Sequence, residues 1–435
     1  MKNKSIDIVT LGCSKNFVDS ERVIKMFSNV GYNVFHNPTC IKSNIVIINT
    51  CGFIGDAKEE SVNTILQYAD AKTDGDISDL YVMGCLSERY KEDLISEIPE
   101  VDKWYGKFDW ENIIKDISNK KNNTQTYERA VTTPAHYAYI KIAEGCNRFC
   151  SFCAIPLITG RYKSRPIEDI ITEIQLLVQQ GVKEFNILAQ DLSYYGQDLY
   201  GEQKLAELID KIAQTQGVEW IRLHYAYPAQ FPFEVLDVIA KHKNICKYLD
   251  IALQHINDDV LKNMRRHIDG KSTKELIKTI RQKVPGIHIR TTLMVGFPGE
   301  GDKEFEELVG FVKEVKFERM GAFSYCEEED TFGAENFKDE IPKEVKEERL
   351  SILMKIQEDI SFEINQQKIG QTIRVIIDRE DEDYYIGRTE WDSPEVDPEV
   401  LISKDNPLVV GEFYNVDIID ALPFELIGAI SSPHE

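Results

Sequence analysis

The chain has 435 residues, 42% hydrophobic and 29% charged, enough for two to four domains with buried cores. Its net charge of −23, from 51 basic and 74 acidic residues, repels phosphate backbones and argues against general nucleic-acid binding. The richest apolar run, residues 45–54, is too short and too polar to cross a bilayer, and Asp7 interrupts the only apolar stretch near the start, so neither a membrane span nor a signal peptide is expected.

Residues 1–130 alternate strands with helices. Apolar runs at 6–11, 44–48 and 80–83 are separated by helical patterns at 19–30 and 57–71, which predicts a small parallel α/β sheet. Each run leads into a cysteine: Cys13, Cys51 and Cys85. In such sheets ligands bind outside the carboxyl ends of the strands, so the three thiols are expected to converge. Three thiolates there have the arithmetic of an iron–sulfur cluster with one iron left open. The alternative is three buried core cysteines, which is ordinary for one residue but less so for three at strand ends. Gly12 and Gly84 precede two of them, and glycine lets the backbone approach a bulky cluster.

Residues 131–367 repeat a strand-then-helix unit six times. Strands are expected at 137–143, 184–189, 220–225, 248–253, 287–294 and 321–325. Helices are expected at 167–180, 203–215, 232–241, 258–266, 273–283 and 303–315. Six units make three-quarters of a TIM-type barrel, whose chemistry belongs at the strand C-termini. Directly after the first strand comes Cys146-Asn147-Arg148-Phe149-Cys150-Ser151-Phe152-Cys153. Three thiolates on one loop can hold three irons of a cubane that usually takes four, which leaves one iron open for chemistry. A structural zinc would instead want four ligands, often as two separated pairs. The nine cysteines together suit metal ligands and free thiols in a reducing cytoplasm better than disulfides. Cys40, Cys246 and Cys326 lack a motif and are read as structural. A long charged helix over 342–367 closes the domain.

Residues 368–435 change character. Strand-like runs at 370–378 and 414–419, separated by Gly, Pro and Asp turns, predict a small all-β barrel used as a binding appendage. It carries 5 basic and 16 acidic residues, a net −11.

The chain resembles the radical S-adenosylmethionine (SAM) methylthiotransferases over nearly its whole length. The segments that carry the resemblance are Leu11-Gly12-Cys13-Ser14-Lys15-Asn16 with Asp19-Ser20-Glu21, Glu144-Gly145-Cys146 through Ile155-Pro156, Ala189-Gln190-Asp191, Leu253-Gln254-His255, and Val295-Gly296-Phe297-Pro298-Gly299-Glu300. It is most similar to the branch that modifies an aspartate of small-subunit ribosomal protein number twelve. The tRNA-modifying branch carries Gln-Met where this chain has Ser14-Lys15, and Thr where it has Ser151. One departure is Thr159, where an arginine commonly precedes the glycine; it puts a local contact in doubt.

The resemblance implies an α/β fold in three parts: an N-terminal cluster domain (1–130), a partial (β/α)6 radical-SAM barrel (131–367) and a C-terminal TRAM β-barrel (368–435). It implies two 4Fe-4S clusters, one on Cys146, Cys150 and Cys153 and one on Cys13, Cys51 and Cys85. SAM would be bound at the barrel mouth, with Phe152 near the adenine, Asp191, Arg222, Gln254 and Arg290 as polar contacts, and Gly296 and Gly299 allowing close backbone approach. It implies a flavodoxin- or ferredoxin-like electron donor and a basic ribosomal protein as substrate, and the acidic appendage suits such a partner. The rival readings are the same chemistry on tRNA, which predicts a basic appendage, and an iron–sulfur sensor or electron carrier, which has little need of a six-unit barrel.

Overall fold

The computed structural model describes residues 4–431. Its first sheet has five parallel strands in the order Asn33–His36, Ser5–Thr10, Ile45–Thr50, Asp79–Gly84, Lys103–Trp104. Side chains alternate between its faces. Ile6, Ile8 and Ile47 pack against Val23, Phe27, Ile113 and Ile114 on one side. Val46, Ile48 and Val82 pack against Ile65, Ala69 and Leu86 on the other. Helices Ser14–Asn29 and Trp110–Ser118 therefore cover the first face, and Gly55–Thr73 and Cys85–Glu97 the second. Register sets Thr10 beside Asn49 and Thr50 beside Gly84, so three strands end level. Cys13, Cys51 and Cys85 leave from that level edge.

The second sheet is six parallel strands in chain order: Tyr137–Lys141, Glu184–Leu188, Trp220–Ala226, Ile245–Ile251, His288–Val295 and Arg319–Ser324. One set of alternate residues, including Ile140, Ile187, Leu223, Leu249 and Ile289, packs outward on the helices. The other set is unusually polar for a core: Lys141, Asn186, Arg222, His224, Tyr248 and Asp250, with half-buried Arg290. The six strands and their helices fall where the periodicity predicts. Helix Lys343–Gln366 then crosses the back of the last strands, burying Leu353 and Ile360 in the same core.

The chain ends in a closed five-stranded barrel, Thr372–Glu380, Tyr384–Thr389, Glu399–Ser403, Phe413–Ala421 and Glu425–Ile430. It is docked on the N-terminal ends of the large barrel's strands. Glu184 accepts both Nη groups of Arg388, at 3.0 and 2.7 Å, and Nε of Arg222 at 3.2 Å. Arg319 pairs with Asp392 and Arg290 with Asp397 (2.8 Å). Asp378 accepts from Arg388 at 2.9 Å and lies 2.8 Å from His136 Nε2. Trp391 stacks on His288 at 4.9 Å, and Phe413 meets Trp220 edge-on.

These pairs are desolvated, so each charge depends on its partner. Glu184→Gln keeps the shape but leaves two guanidinium groups short of a carboxylate; chemical unfolding is expected to show a loss of about 3–5 kcal/mol.

Lys368, at the same junction, is pushed down to about 7 by burial, with Arg319 adding to the effect against Asp392. Its folded pKa is depressed, so from pH 7 to about 10.4 the unfolded chain holds a proton that the folded chain lacks, and stability rises with pH in that window. Lys368→Met is expected to raise the thermal midpoint at pH 7 and to lose that advantage by pH 10. An advantage that stays constant across the series would contradict this assignment.

Candidate functional site

The loop after Ala143–Glu144 leaves the first barrel strand at its C-terminal end. Gly145 starts it with φ +72°, and a Cβ there would lie 2.2 Å from the Arg161 carbonyl oxygen. Only glycine fits that turn. Cys146 N–H donates to the Gly160 carbonyl (3.2 Å), Cys153 N–H to the Cys150 carbonyl (3.1 Å), and Ser151 N–H to the Met264 carbonyl (3.1 Å). The loop is thus tied to itself and to the turn after helix Asp258–Asn263. Arg266 Nη1 donates to Cys150 Sγ at 3.1 Å, and the Arg148 N–H to Cys146 Sγ at 3.5 Å. Both guanidinium groups sit 4.2 Å from the Tyr227 ring centroid.

Burial pushes the Cys146 thiol up to about 12, with Asp191 and Cys150 adding to it, and burial also raises Cys153. Such thiols stay protonated unless a cation binds, and a coordinating metal deprotonates them outright. The donor set therefore fits an iron–sulfur cluster. Four buried polar atoms around the same loop also lack partners: Arg148 Nη2, Ser151 Oγ, Gln254 Oε1 and Arg266 Nε. Unpaired buried polar atoms are costly, and a polar ligand at the mouth would satisfy them.

The second thiol set lies on the level edge of the first sheet. A Cβ on Gly12 would lie 2.7 Å from Cys51 Cβ and 2.9 Å from its sulfur, which shows how closely the Cys13 turn approaches Cys51. Burial raises the Cys51 thiol to about 11 and raises Cys85. Cys13 is exposed at the rim; desolvation of its sulfur works against ionisation, but Lys15 and Lys107 outweigh it and the net shift is downward. Lys107 Nζ lies 3.5 Å from Cys85 Sγ. Among the described residues no three His, Cys, Asp or Glu side chains are grouped as ligands of one ion. A cubane spreads its thiolates over separate irons and does not require that convergence.

The structure gathers some of the expected mouth residues and removes others. Asp191 accepts Arg148 Nε at 2.6 Å and the Ser193 N–H at 2.8 Å, so it braces the cysteine loop. Phe152 packs on Phe297, in the segment after the fifth strand. Gln254 follows the fourth strand with φ +74°, and its backbone bonds Thr292 and Met294. Gly299 is exposed beside Asn263.

Three expected contacts are corrected. Arg222 is fully buried and points to the opposite end, donating to Glu184 and to the Glu390 and Thr389 carbonyls. Arg290 is held there too, by Asp397. The open side of Gly296 is filled by the Lys346 stem, 2.3 Å from where a Cβ would be, so its close approach is to that helix. Arg148, Arg266, Tyr227 and Lys107 were not singled out from sequence. Arg148 lies inside the cysteine run, which was a usable signal; the other three carry none. Of the unassigned cysteines, Cys246 is buried, while Cys40 and Cys326 are on the surface.

Three families match consecutive stretches: the uncharacterized protein family UPF0004 over residues 5–106, the Radical SAM superfamily over 140–312 and the TRAM domain over 369–430. Proteins named ribosomal protein uS12 methylthiotransferase RimO are similar end to end. That of Parabacteroides distasonis is 56% identical over 430 residues, covering 99% of this chain and 100% of the relative. That of Phocaeicola vulgatus is 58% identical over 431 residues, with the same coverage. The chain belongs to the RimO family. Membership of the radical SAM superfamily carries with it SAM and a 4Fe-4S cluster. Among solved structures, the radical SAM methyltransferase TsrM of Kitasatospora setae aligns with a TM-score of 0.56 at 14% identity, over 73% of this chain and 72% of that one. The cobalamin-dependent enzyme OxsB aligns at 0.52 and 13% identity, over 82% and 56%. At those identities the likeness is one of fold. No helix among the described residues is long and apolar enough to cross a membrane.

The Gly145 turn gives a direct test of how the loop is built. Gly145→Ala must shift the Arg161 backbone and hold a positive φ, so the loop is expected to open at a cost of about 1–3 kcal/mol. Thermal unfolding of the metal-free protein reads it, with Gly310→Ala as the contrast: beyond its own helix the space is open, and Ala there should stabilise by about 0.5–1 kcal/mol.

Proposed function

We propose that this protein adds a methylthio group to the β-carbon of an aspartate in small-subunit ribosomal protein uS12, using SAM and two 4Fe-4S clusters. The observation that carries the reading is the pairing of two thiol triads, one at the strand ends of the UPF0004 unit and one at the mouth of the radical-SAM barrel, in a chain of the RimO family. The working divisions are 1–130, 131–367 and 368–435. Cys146, Cys150 and Cys153 would hold the barrel cluster, and Cys13, Cys51 and Cys85 the other. When bound, the clusters and SAM supply the reducing electron, the radical that removes a hydrogen from an unactivated carbon, and the sulfur that replaces it.

This chain's own residues bind, orient and exclude water. Asp191 fixes Arg148, and Arg148 and Arg266 clamp the cysteine loop against Tyr227. The unpaired Gln254 Oε1 and Arg148 Nη2 are the polar groups free to meet SAM, with Phe152 beside its adenine and Gly299 at the rim. Asn16 and Asp19 support the second triad from helix Ser14–Asn29. A flavodoxin- or ferredoxin-like protein would supply electrons. The substrate is a basic protein, and the acidic C-terminal barrel favours it over tRNA.

The test is anaerobic turnover of the reconstituted enzyme with SAM and reductant, offering uS12 and tRNA in parallel and reading intact mass. A gain of roughly 46 Da on uS12 alone, a hydrogen replaced by SCH3, is expected, because the cofactors set the chemistry and the protein sets the target. The Cys13→Ala/Cys51→Ala/Cys85→Ala variant should still cleave SAM and give no product. The Cys146→Ala/Cys150→Ala/Cys153→Ala variant should neither cleave SAM nor form product. A gain on tRNA alone would sink the substrate assignment.

A further inference from the structure

Lys107 belongs to no motif, yet it is 3% exposed and sits at the thiol-bearing edge of the first sheet. Its Nζ reaches three groups: Asp19 Oδ2 at 3.0 Å, Asn16 Oδ1 at 3.1 Å and Cys85 Sγ at 3.5 Å. An ammonium has three donors and no acceptor, so this set uses all of them. The oxygens are themselves fixed. Asn16 Nδ2 donates to the Leu11 and Thr50 carbonyls, at 2.9 and 3.0 Å, which holds its Oδ1 toward Lys107. Asp19 is shared, because its other oxygen takes Lys141 from the barrel. Lys141 in turn contacts Glu144. Asp19 and Glu144 together balance the two lysines, and the Lys107 ammonium is the charged group that directly faces the sulfur.

We propose that Lys107 is a positioning residue for the cluster on Cys13, Cys51 and Cys85. It holds the Cys85 thiolate by a charge-assisted hydrogen bond and sets the reduction potential through a fixed positive charge. This rests on the reading of those cysteines as ligands. A cubane on three thiolates is anionic and gains a further negative charge on reduction. Hydrogen bonds to its sulfurs and the charge around it therefore set its potential. Lys107 favours the reduced form, and Asp19 and Asn16 aim it.

The experiment uses the full-length Cys146→Ala/Cys150→Ala/Cys153→Ala protein with the surface thiols Cys40 and Cys326 also changed to Ser, so that besides buried Cys246 only Cys13, Cys51 and Cys85 remain to bind a reconstituted cluster. Iron per chain and a redox titration followed by electron paramagnetic resonance are read with Lys107, Lys107→Met and Lys107→Arg. At a fixed potential the ratio of reduced to oxidised cluster is expected to fall about tenfold in Lys107→Met, because the electron added on reduction loses a nearby positive charge, and to recover in Lys107→Arg. Loss of iron in Lys107→Met with retention in Lys107→Arg also supports the assignment. An unchanged ratio at full iron content in Lys107→Met overturns it, as does loss of iron in both variants, since charge would then not be what matters. Absence of iron from the parent variant, folded by circular dichroism and with Lys107 intact, is a separate failure: it removes the ligand reading itself.

Discussion

Asp19 is the carboxylate on which the two cysteine-bearing units meet. One oxygen takes Lys141 from the end of the first barrel strand, and the other takes Lys107 from the edge of the first sheet. Burial alone would push its proton affinity up, but the two lysines reverse the sign. Asp19 lies on a helix that begins immediately after Cys13, and Lys141 lies five residues before Cys146. Asp19 therefore ties the two thiol-bearing segments together directly. Its neighbours follow the same helix into the barrel. Val18 packs among Tyr137, Tyr139 and Leu188, Glu21 pairs with Arg129, and Lys15 lies 3.3 Å over the Tyr225 ring.

The other end of the barrel is organised by a different constraint. Its inward residues include Glu184, Arg222, Arg290 and Arg319, which cannot be left dry and unpaired. The C-terminal barrel supplies Arg388, Asp392 and Asp397 to three of them, and to Arg222 the carbonyls of Thr389 and Glu390. The polar lumen and the appended domain are thus one construction. Without the appendage, Arg319 would lose its carboxylate and Arg290 its nearer one, and Glu184 and Arg222 would keep only each other. Around those charges the appendage is also held by Trp391 on His288, Phe413 on Trp220, Asp378 on His136, and Ser361, Asn365 and Gln366 donating to carbonyls of residues 421–423.

That division explains what the sequence could and could not show. Period-two alternation marks Arg222 and Arg290 as inward-facing, which is right. Alternation does not measure depth, and each is the third residue of its strand, Trp220–Ala226 and His288–Val295. Asp191 and Gln254 lie beyond the ends of theirs, and those two reach the mouth. Position relative to the strand end was the deciding variable. In the first unit, the edge strands Asn33–His36 and Lys103–Trp104 have 4 and 2 residues, too few to show a period. Helix Cys85–Glu97 buries only Cys85, Leu86 and Ser87, so it carries little apolar periodicity to detect. Arg266 and Lys107 touch cysteines distant in sequence, and such contacts exist only once the chain has folded.

The same geometry refines the charge argument for a basic partner. A net −11 in the C-terminal segment looks like surface, yet Asp392 and Asp397 are spent on arginines of the large barrel, and Asp378 on His136 and the segment's own Arg388. Opposed ions inside an interface add nothing to the field that steers a distant partner. What remains outside is a run of exposed acids on the first hairpin, Glu380, Asp381, Glu382 and Asp383, with Glu395, Asp405 and Asp420 elsewhere on the domain, while Glu412 pairs with Lys183 of the large barrel. Arg379 and Lys404 offset part of that run through Glu399 and Glu380. The attraction for a cationic protein, and the repulsion of a phosphate backbone, therefore concentrate on that hairpin rather than being spread over the whole domain. Counting charges gave the right sign, and only the fold could say where that charge is free to act.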